Sequence, residues 1–172
     1  MSPHRGKSEA LLTHARLLEL VAYDPNTGHF ASISKRGGVR RGRPLGHTEA
    51  NGYRRICIDG KRYLAHRLAW FFVHGRWPAE MIDHQNLQRD DNRLSNLREA
   101  TISQNQRNQP ARASISGLKG AHWNATRNYW QSYIKANGGR SVFLGRFETA
   151  EEAHAAYVAA ATELHGEFAR AA

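Results

Sequence analysis

Four side chains in the middle of the chain have the types and the spacing that metal-assisted hydrolysis requires. Asp83 and His84 are adjacent after a short apolar run, Asn96 follows twelve residues after His84, and Asn105 follows nine residues after that. The carboxylate of Asp83 and the amide of Asn105 are hard oxygen donors, which suit Mg²⁺ or Mn²⁺ better than a closed zinc site. The imidazole of His84 can activate a water molecule near neutral pH. Because Asn and Asp are common in loops, the spacing by itself also allows a simple turn around residues 90–92.

The elements around these residues must bring them together. Adjacent side chains of a strand point to opposite faces, so Asp83 and His84 share a site only where the backbone bends, for instance at a strand end. Asn96 would then hold the imidazole directly or by fixing the intervening loop, since a base needs a defined tautomer. Residues 102–108 are expected to form a helix, from which Asn105 can project back onto the strand that carries Asp83.

The N-terminal part is expected to contain a helix and two hairpins. Residues 8–20 have a helical pattern that Ser8 can cap. Residues 20–33 and 52–64 have hairpin patterns, the second with a tight turn at Asp59-Gly60. The apolar face of the first helix is predicted to consist of Leu11, Ala15 and Leu18.

A buried helix should follow the second hairpin. Residues 65–74 are strongly apolar, and Gly75 and Pro78 end the pattern. His66 lies in the first turn, where a histidine is more often a hydrogen-bonded core residue than a catalyst. Cys57, the single cysteine, is expected in a strand; one cysteine excludes a disulfide framework and a multi-cysteine zinc ribbon.

The C-terminal part has the pattern of three short strands and one helix. Strands are predicted at 120–123, 129–136 and 141–147. Residues 149–165 form a helical pattern that starts with the capping-box pair Thr149 and Glu152. The expected fold is α+β, with hairpins and a buried helix in the N-terminal part and a second unit of three antiparallel strands packed on one helix. The expected division is a domain at 1–108, a linker at 109–116 and a domain at 117–172.

The charge of the chain points to a polyanionic partner. The formal net charge is +10 and the sequence pI is about 10.4, as in many nucleic-acid-binding proteins. Residues 1–65 carry a net charge of +7, residues 66–109 of +1 and residues 110–172 of +2. The near-neutral middle agrees with a site that carries its own acidic groups. Residues 35–46 contain no acidic residue and form either a solvated flexible loop or a loop that orders against phosphates, the candidates being Arg36, Arg40, Arg41 and Arg43.

The sequence contains no signal of a membrane or secreted protein. No stretch approaches the roughly 20 apolar residues of a membrane span, and residues 1–7 do not resemble a secretory signal. We therefore expect a reduced protein in the cytoplasm of the cell that makes it, without a membrane partner.

The central segment resembles the HNH endonucleases of phages and mobile elements over about residues 20–108. The resemblance rests on Ile-Asp-His at 82–84, Asp-Asn-Arg-Leu-Ser-Asn-Leu-Arg at 91–98, Asn105, and Tyr-Leu-Ala-His-Arg-Leu-Ala-Trp at 63–70. It implies a ββα-metal fold, in which two strands and a helix bind one Mg²⁺ or Mn²⁺ ion.

The same resemblance implies a role for each of the four central residues. Asp83 and Asn105 would be the metal ligands, His84 the general base, and Asn96 the residue that orients His84. The last histidine of the family's name is replaced here by Asn105. Some homing endonucleases of the family also have an asparagine at that position. This departure leaves the ligand geometry and the metal preference open.

The C-terminal segment, residues 116–169, resembles the Apetala-two type DNA-binding domain. The resemblance rests on Gly-Leu-Lys-Gly-Ala-His-Trp at 117–123, Tyr-Trp at 129–130, Phe-Leu-Gly-Arg-Phe at 143–147 and Thr-Ala-Glu-Glu-Ala at 149–153. It implies a sheet that lies in the major groove of DNA. The candidate DNA-binding residues are Lys119, His122, Trp123, Arg127, Lys135, Arg140 and Arg146, whereas Trp130, Phe143 and Phe147 can instead face the helix.

The resemblances together predict a metal-dependent, site-specific DNA endonuclease of the homing type. A DNA-binding regulator with an inert HNH scaffold is the first alternative, and an RNA-binding protein is the second. The partner is expected to be double-stranded DNA and the protein a monomer or weak dimer. One metal site per chain makes a nick the minimal event, and a double-strand break needs two chains or two binding events.

Overall fold

A computed structural model describes residues 9–33, 40–109, 115–136 and 139–169. The chain divides into two compact units, Met1–Thr101 and Ile102–Ala172, which we describe one at a time. The predicted α+β fold is confirmed, with small antiparallel sheets and four α-helices in the described ranges. None of these helices has the length and apolarity needed to cross a membrane.

The first unit begins with a 3₁₀ turn at Glu9–Leu11 and helix α1 at His14–Leu20. The prediction of one helix from residue 8 was wrong within the described residues, because the Thr13 side chain accepts a hydrogen bond from the Arg16 amide and starts α1 there. The predicted apolar face was also wrong: Leu17 and Leu20 are buried, whereas Leu11 and Leu18 are 65% and 41% exposed. Ser8 lies outside the described residues.

Both predicted hairpins are present. Strands β1 (Val21–Asp24) and β2 (His29–Ser32) pair antiparallel. Strands β3 (His47–Thr48), β4 (Arg54–Ile58) and β5 (Lys61–Leu64) form a second sheet in that order. Cys57 lies in β4 as expected, but its side chain is exposed.

Helix α2 spans Ala65–His74 and ends at Gly75, whose φ of 67° is left-handed. Leu68 and Ala69 of this helix are fully buried in the core of the first unit. Arg67 is also buried, and its guanidinium pairs with the carboxylate of Glu9 and donates to the Glu80 carbonyl. These bonds tie α2 to the residue immediately before the next strand.

That strand, β6 (Met81–His84), pairs antiparallel with β7 (Leu97–Ala100). Asp83 is opposite Arg98, and His84, the last residue of β6, is opposite Leu97. The two central residues are therefore at the end of a strand, as the sequence analysis required.

The second unit contains helix α3 (Ile102–Asn108), strands β8 (Ala121–Asn124), β9 (Tyr129–Lys135) and β10 (Ser141–Phe147), and helix α4 (Ala150–His165). The sheet order is β10-β9-β8, and α4 packs on all three strands. Thr149 and Glu152 form the predicted capping box. Gly120 packs so closely on the Tyr157 ring that any Cβ at this position would clash with it.

Helix α3 groups with the second unit, although we placed residues 102–108 in the nuclease domain. It packs against the 3₁₀ turn Gly166–Phe168. The Lys119 ammonium donates to the carbonyls of Arg107 and Gln109 at 2.6 and 2.7 Å, which satisfies and neutralises the C-terminal end of the helix. The compact units thus divide seven residues before the predicted domain boundary.

Candidate active site

Asp83 forms a buried ion pair across the β6–β7 ribbon. Its side chain is 2% exposed and that of Arg98 is 11% exposed. Arg98 donates from Nε and Nη2 to Oδ2 of Asp83 at 3.0 and 2.9 Å. The two residues are direct register partners, so their side chains lie on one face of the ribbon. The proposed metal ligand therefore has a cationic partner that the sequence analysis did not identify.

His84 lies in a different environment from its neighbour. Its side chain is buried, and Nε2 is 3.4 Å from Oδ1 of Asn92. A neutral imidazole that donates from Nε2 to this oxygen presents Nδ1 as its basic nitrogen. Burial lowers the pKa of His84, and the Asn92 contact and the negative charge of Asp83 oppose that shift. The lowered pKa favours the neutral imidazole, which is the form that accepts a proton.

Two aromatic rings pack against His84. The ring centroid of His66 lies 5.0 Å away in an edge-to-face arrangement, and that of Tyr53 lies 6.0 Å away. His66 is 5% exposed, and its Nδ1 atom makes no hydrogen bond. Burial and the proximity of His84 and Arg67 lower the pKa of His66 well below its ordinary value. His66 is therefore a core residue, as predicted, but its Nδ1 lacks the expected partner.

Asn96 braces the loop between β6 and β7. Its Oδ1 accepts from the Asn86 amide at 3.0 Å, and its Nδ2 donates to the Asp91 carbonyl at 2.8 Å. Of the two roles left open for Asn96, these bonds match the fixing of the intervening loop. The amide of Asn92, which is 1% exposed, makes a polar contact with His84, whereas the sequence analysis allowed only a simple turn at residues 90–92. Only the run of polar residues at 90–92 signalled this position.

The β1–β2 hairpin packs against the loop between β6 and β7. The Tyr23 hydroxyl donates to the Asn92 carbonyl at 2.7 Å, and the Leu94 amide donates to the Pro25 carbonyl at 3.0 Å. Gly28, with a φ of 74°, lies directly against the backbone of Asn92 and Arg93. The hairpin thereby positions the residue that contacts the histidine.

We expect Gly28→Ala to displace this loop and to impair catalysis. An added Cβ would lie 2.5 Å from the Arg93 amide nitrogen and even closer to the Asn92 carbonyl carbon, so the backbone must move. We expect a loss of about 2–4 kcal/mol in the free energy of unfolding, from left-handed strain and overpacking together. Gly60→Ala, in the turn between β4 and β5, is the matched control, because its φ is 75° and nothing lies within 4 Å of its Cβ.

Chemical denaturation and cleavage assays on the two variants distinguish the cost of a left-handed backbone at alanine from the displacement of the loop that carries Asn92. Gly60→Ala should lose only the free energy that the left-handed backbone costs and should keep full activity. Equal stability and activity of the two variants would show that the contact between Gly28 and the loop is unimportant.

Asn105 lies half-buried on α3 in the second unit. Its pairing with Asp83 on a metal ion therefore stays a prediction. The donor set fits that prediction chemically, since one carboxylate and one amide oxygen suit a hard ion that keeps several waters. Within the described ranges, no three His, Cys, Asp or Glu side chains cluster as a metal site.

The basic candidates of the first unit are exposed where the structure describes them. Arg40, Arg41 and Arg43 have exposed side chains, and Arg36 lies outside the described residues. The backbone here follows β2, since the Ser32 amide donates to the Arg43 carbonyl and the Gly42 amide donates to the Ser32 carbonyl.

The basic candidates of the second unit divide into two groups. Lys119 holds the end of α3, and Trp123 is half-buried with its ring 5.2 Å from Trp130. Both positions have structural contacts, which count against a primary role in binding DNA. The exposed candidates are His122, Arg127, Lys135, Arg140 and Arg146.

Comparison with known proteins identifies the central segment. Residues 63–107 match the family model described as HNH endonuclease, which confirms an HNH nuclease domain in this segment and the prediction of a nuclease. A solved structure described as "DNA binding and cleavage by the HNH homing endonuclease I-HmuI" is 21% identical, with 85% of each chain covered and a TM-score of 0.43. No curated protein matches the chain.

Proposed function

We propose that this nuclease is a divalent-metal-dependent, site-specific DNA endonuclease of the homing type. The observation that carries the proposal is the placement of His84, buried at the end of β6 beside Asp83 and held by Asn92 within the segment that matches the HNH family. In the proposed assignment the Apetala-two-like second unit selects the cleavage site. The cationic loop around Arg40, Arg41 and Arg43 contributes phosphate contacts.

His84 acts in this proposal as the general base. The Asn92 amide and the rings of His66 and Tyr53 limit the orientations of its imidazole, and burial favours its neutral form. Asn96 holds the loop that supplies Asn92. The His84 side chain accepts a proton from the attacking water, whose oxygen then bonds to phosphorus while the 3′ or 5′ oxygen departs.

Asp83 and Asn105 would hold one Mg²⁺ or Mn²⁺ ion. When bound, such an ion supplies positive charge against the phosphate and the leaving oxygen. Asp83 precedes His84 at the end of β6. The ligand that would hold the ion and the proton acceptor are therefore neighbouring residues.

One observation favours the alternative of a DNA-binding protein with an inert scaffold. The carboxylate of Asp83 is paired with Arg98, so a cation already occupies part of the position proposed for a metal. A catalytic site requires this carboxylate to bind a metal while it keeps or exchanges its arginine partner.

A plasmid assay decides between the two functions. Supercoiled plasmid that carries the native flanking DNA is incubated with the protein and Mg²⁺ or Mn²⁺, with and without EDTA. We expect conversion to the nicked form with either metal and none with EDTA, since one site per chain cuts one strand. Binding without any metal-dependent conversion would establish the regulator instead. Affinity should fall steeply with salt, as counterion release predicts.

A further inference from the structure

The pleat of the C-terminal sheet divides its side chains into two faces. Trp123, Trp130 and Phe147 are register partners across the three strands, and Trp130 and Phe147 pack on the core beneath α4. The neighbouring cross-strand row is His122, Gln131 and Arg146. Because successive side chains alternate between faces, this second row lies on the face away from α4.

A β-bulge is what places Arg146 on that face. Phe143 pairs with Tyr133, but after the register shift Gly145 pairs with Ser132 and Arg146 with Gln131. Without the shift, Arg146 would be opposite Trp130 and would point into the core. A bulge that re-aims one side chain in this way is typical of functional sheet surfaces.

Two exposed aromatic rings extend the same outer face. Tyr133 and Phe143 are 37% and 49% exposed, and their ring centroids are 5.0 Å apart. The Tyr133 hydroxyl donates to Oε1 of Gln131 over a long 3.4 Å contact, so the amide of Gln131 has a neighbour that can orient it. The Arg146 guanidinium lies 5.1 Å from the ring centroid of Tyr129, another outer-face residue.

Charge is separated between the two sides of this unit. The sheet segment, residues 115–147, contains five Lys or Arg and no Asp or Glu, whereas residues 148–169, which include α4, contain five Glu and no Lys or Arg. A polyanion is therefore attracted to the strands and repelled by the helix. The occupant of the outer face is accordingly a nucleic acid, oriented with α4 away from it.

The side-chain types of the outer face match the base edges of the major groove. Arginine pairs with guanine O6 and N7, glutamine with adenine N6 and N7, and apolar groups contact the thymine methyl. A β-sheet can enter this groove, where a cross-strand row meets successive bases. We propose that Arg146 and Gln131 read a guanine and an adenine, and that Phe143 with Tyr133 contacts a neighbouring thymine methyl. This inference rests on the proposed role of the second unit in selecting the DNA site.

A selection experiment tests the base assignment directly. The full-length protein is mixed in EDTA with a pool of DNA duplexes that carry a randomised centre, and the bound fraction is sequenced. The wild type should enrich a motif with guanine, adenine and thymine at adjacent positions. Arg146→Ala, Gln131→Ala and Phe143→Ala should each remove one of these three preferences, by about 5- to 100-fold.

Gln131→Glu provides a change of specificity instead of a loss. A glutamate accepts a hydrogen bond from cytosine N4, so the preference at that position should change from adenine to cytosine. Two controls accompany it. Leu164→Ala, a 38% exposed residue of α4, should leave the motif intact, and Arg127→Ala, in the β8–β9 turn, should weaken all sequences alike.

The outcomes separate this inference from the nuclease proposal. An unchanged motif in the Gln131, Arg146 and Phe143 variants would overturn the inference, even if the same preparations nick plasmid with Mg²⁺. Loss of the motif in Leu164→Ala would do the same. Tighter binding to a single-stranded RNA or DNA pool would identify the aromatic pair as a stacking platform for unpaired bases, and would overturn it as well. A motif that changes as predicted in a protein that does not cleave would support the inference and count against the enzyme.

Discussion

Replacing His84 with alanine is expected to lower the rate of DNA cleavage by about 10²- to 10⁴-fold, because general base catalysis contributes that much. His84 is a buried imidazole at the end of β6, and it contacts Asn92, His66 and Tyr53. No other described histidine lies at the end of this strand. DNA affinity should change little, since the exposed basic residues that we assign to binding are elsewhere.

Single-turnover cleavage with saturating protein measures this effect, and gel-shift titration in EDTA measures the affinity. His47→Ala is the matched control, because His47 is an exposed histidine of strand β3 in the same unit. The truncation also leaves a small cavity, so the thermal stability of His84→Ala should be measured together with its cleavage rate. A folded His84→Ala protein that cleaves at the wild-type rate would refute the role of general base.

Replacing Asp83 with asparagine is expected to abolish metal-dependent cleavage and to destabilise the first unit. The substitution keeps the shape of the side chain but removes the charge that faces both Arg98 and the proposed ion. Removing one partner of a buried ion pair costs about 3–5 kcal/mol, because the other charge is left uncompensated. Loss of activity in the single variant would therefore have two explanations, chemistry and unfolding.

The double variant Asp83→Asn/Arg98→Met separates them. Removing both charges should restore much of the lost free energy of unfolding, since an apolar side chain of similar length fills the space of the arginine. Cleavage should remain absent, and calorimetric titration with Mn²⁺ should show weakened binding. The single variant Arg98→Met keeps the carboxylate of Asp83, and it should retain metal-dependent cleavage under conditions in which it is folded. Wild-type cleavage by the double variant would exclude Asp83 as a ligand.

Local patterns in the sequence predicted most of the secondary structure. The Asp59-Gly60 turn, the apolar run of α2 ended by Gly75 and the capping box at Thr149 and Glu152 depend on residues close together in the chain. Each of these patterns was therefore interpretable without the tertiary structure. The N-terminal helix was the exception, because Thr13 and Ser8 are both acceptable caps and only the packed structure selects between them.

The candidate site was predictable in its residues but not in its contacts. The pair Asp83 and His84 after an apolar run indicated the chemistry, and Asn96 was expected to hold the imidazole or to fix the intervening loop. The two strands that this loop joins were implied only by the family resemblance. The contact of Asn92 with His84 and the pairing of Arg98 with Asp83 depend on the register of β6 and β7. The support from Gly28 joins residues more than sixty positions apart. Such contacts have no signature in local sequence.

By itself the sequence determined the chemical groups of a nuclease, the basic character of the chain and the order of most of its helices and strands, but not strands β3 and β7. The tertiary structure alone decided which residues touch. A one-residue bulge brings Arg146 to the outer face of the sheet, although simple alternation would bury it. Lys119 binds the end of α3 instead of remaining available for phosphate. These outcomes depend on strand register and on the distant groups that satisfy each buried or charged atom, and both are properties of the folded chain.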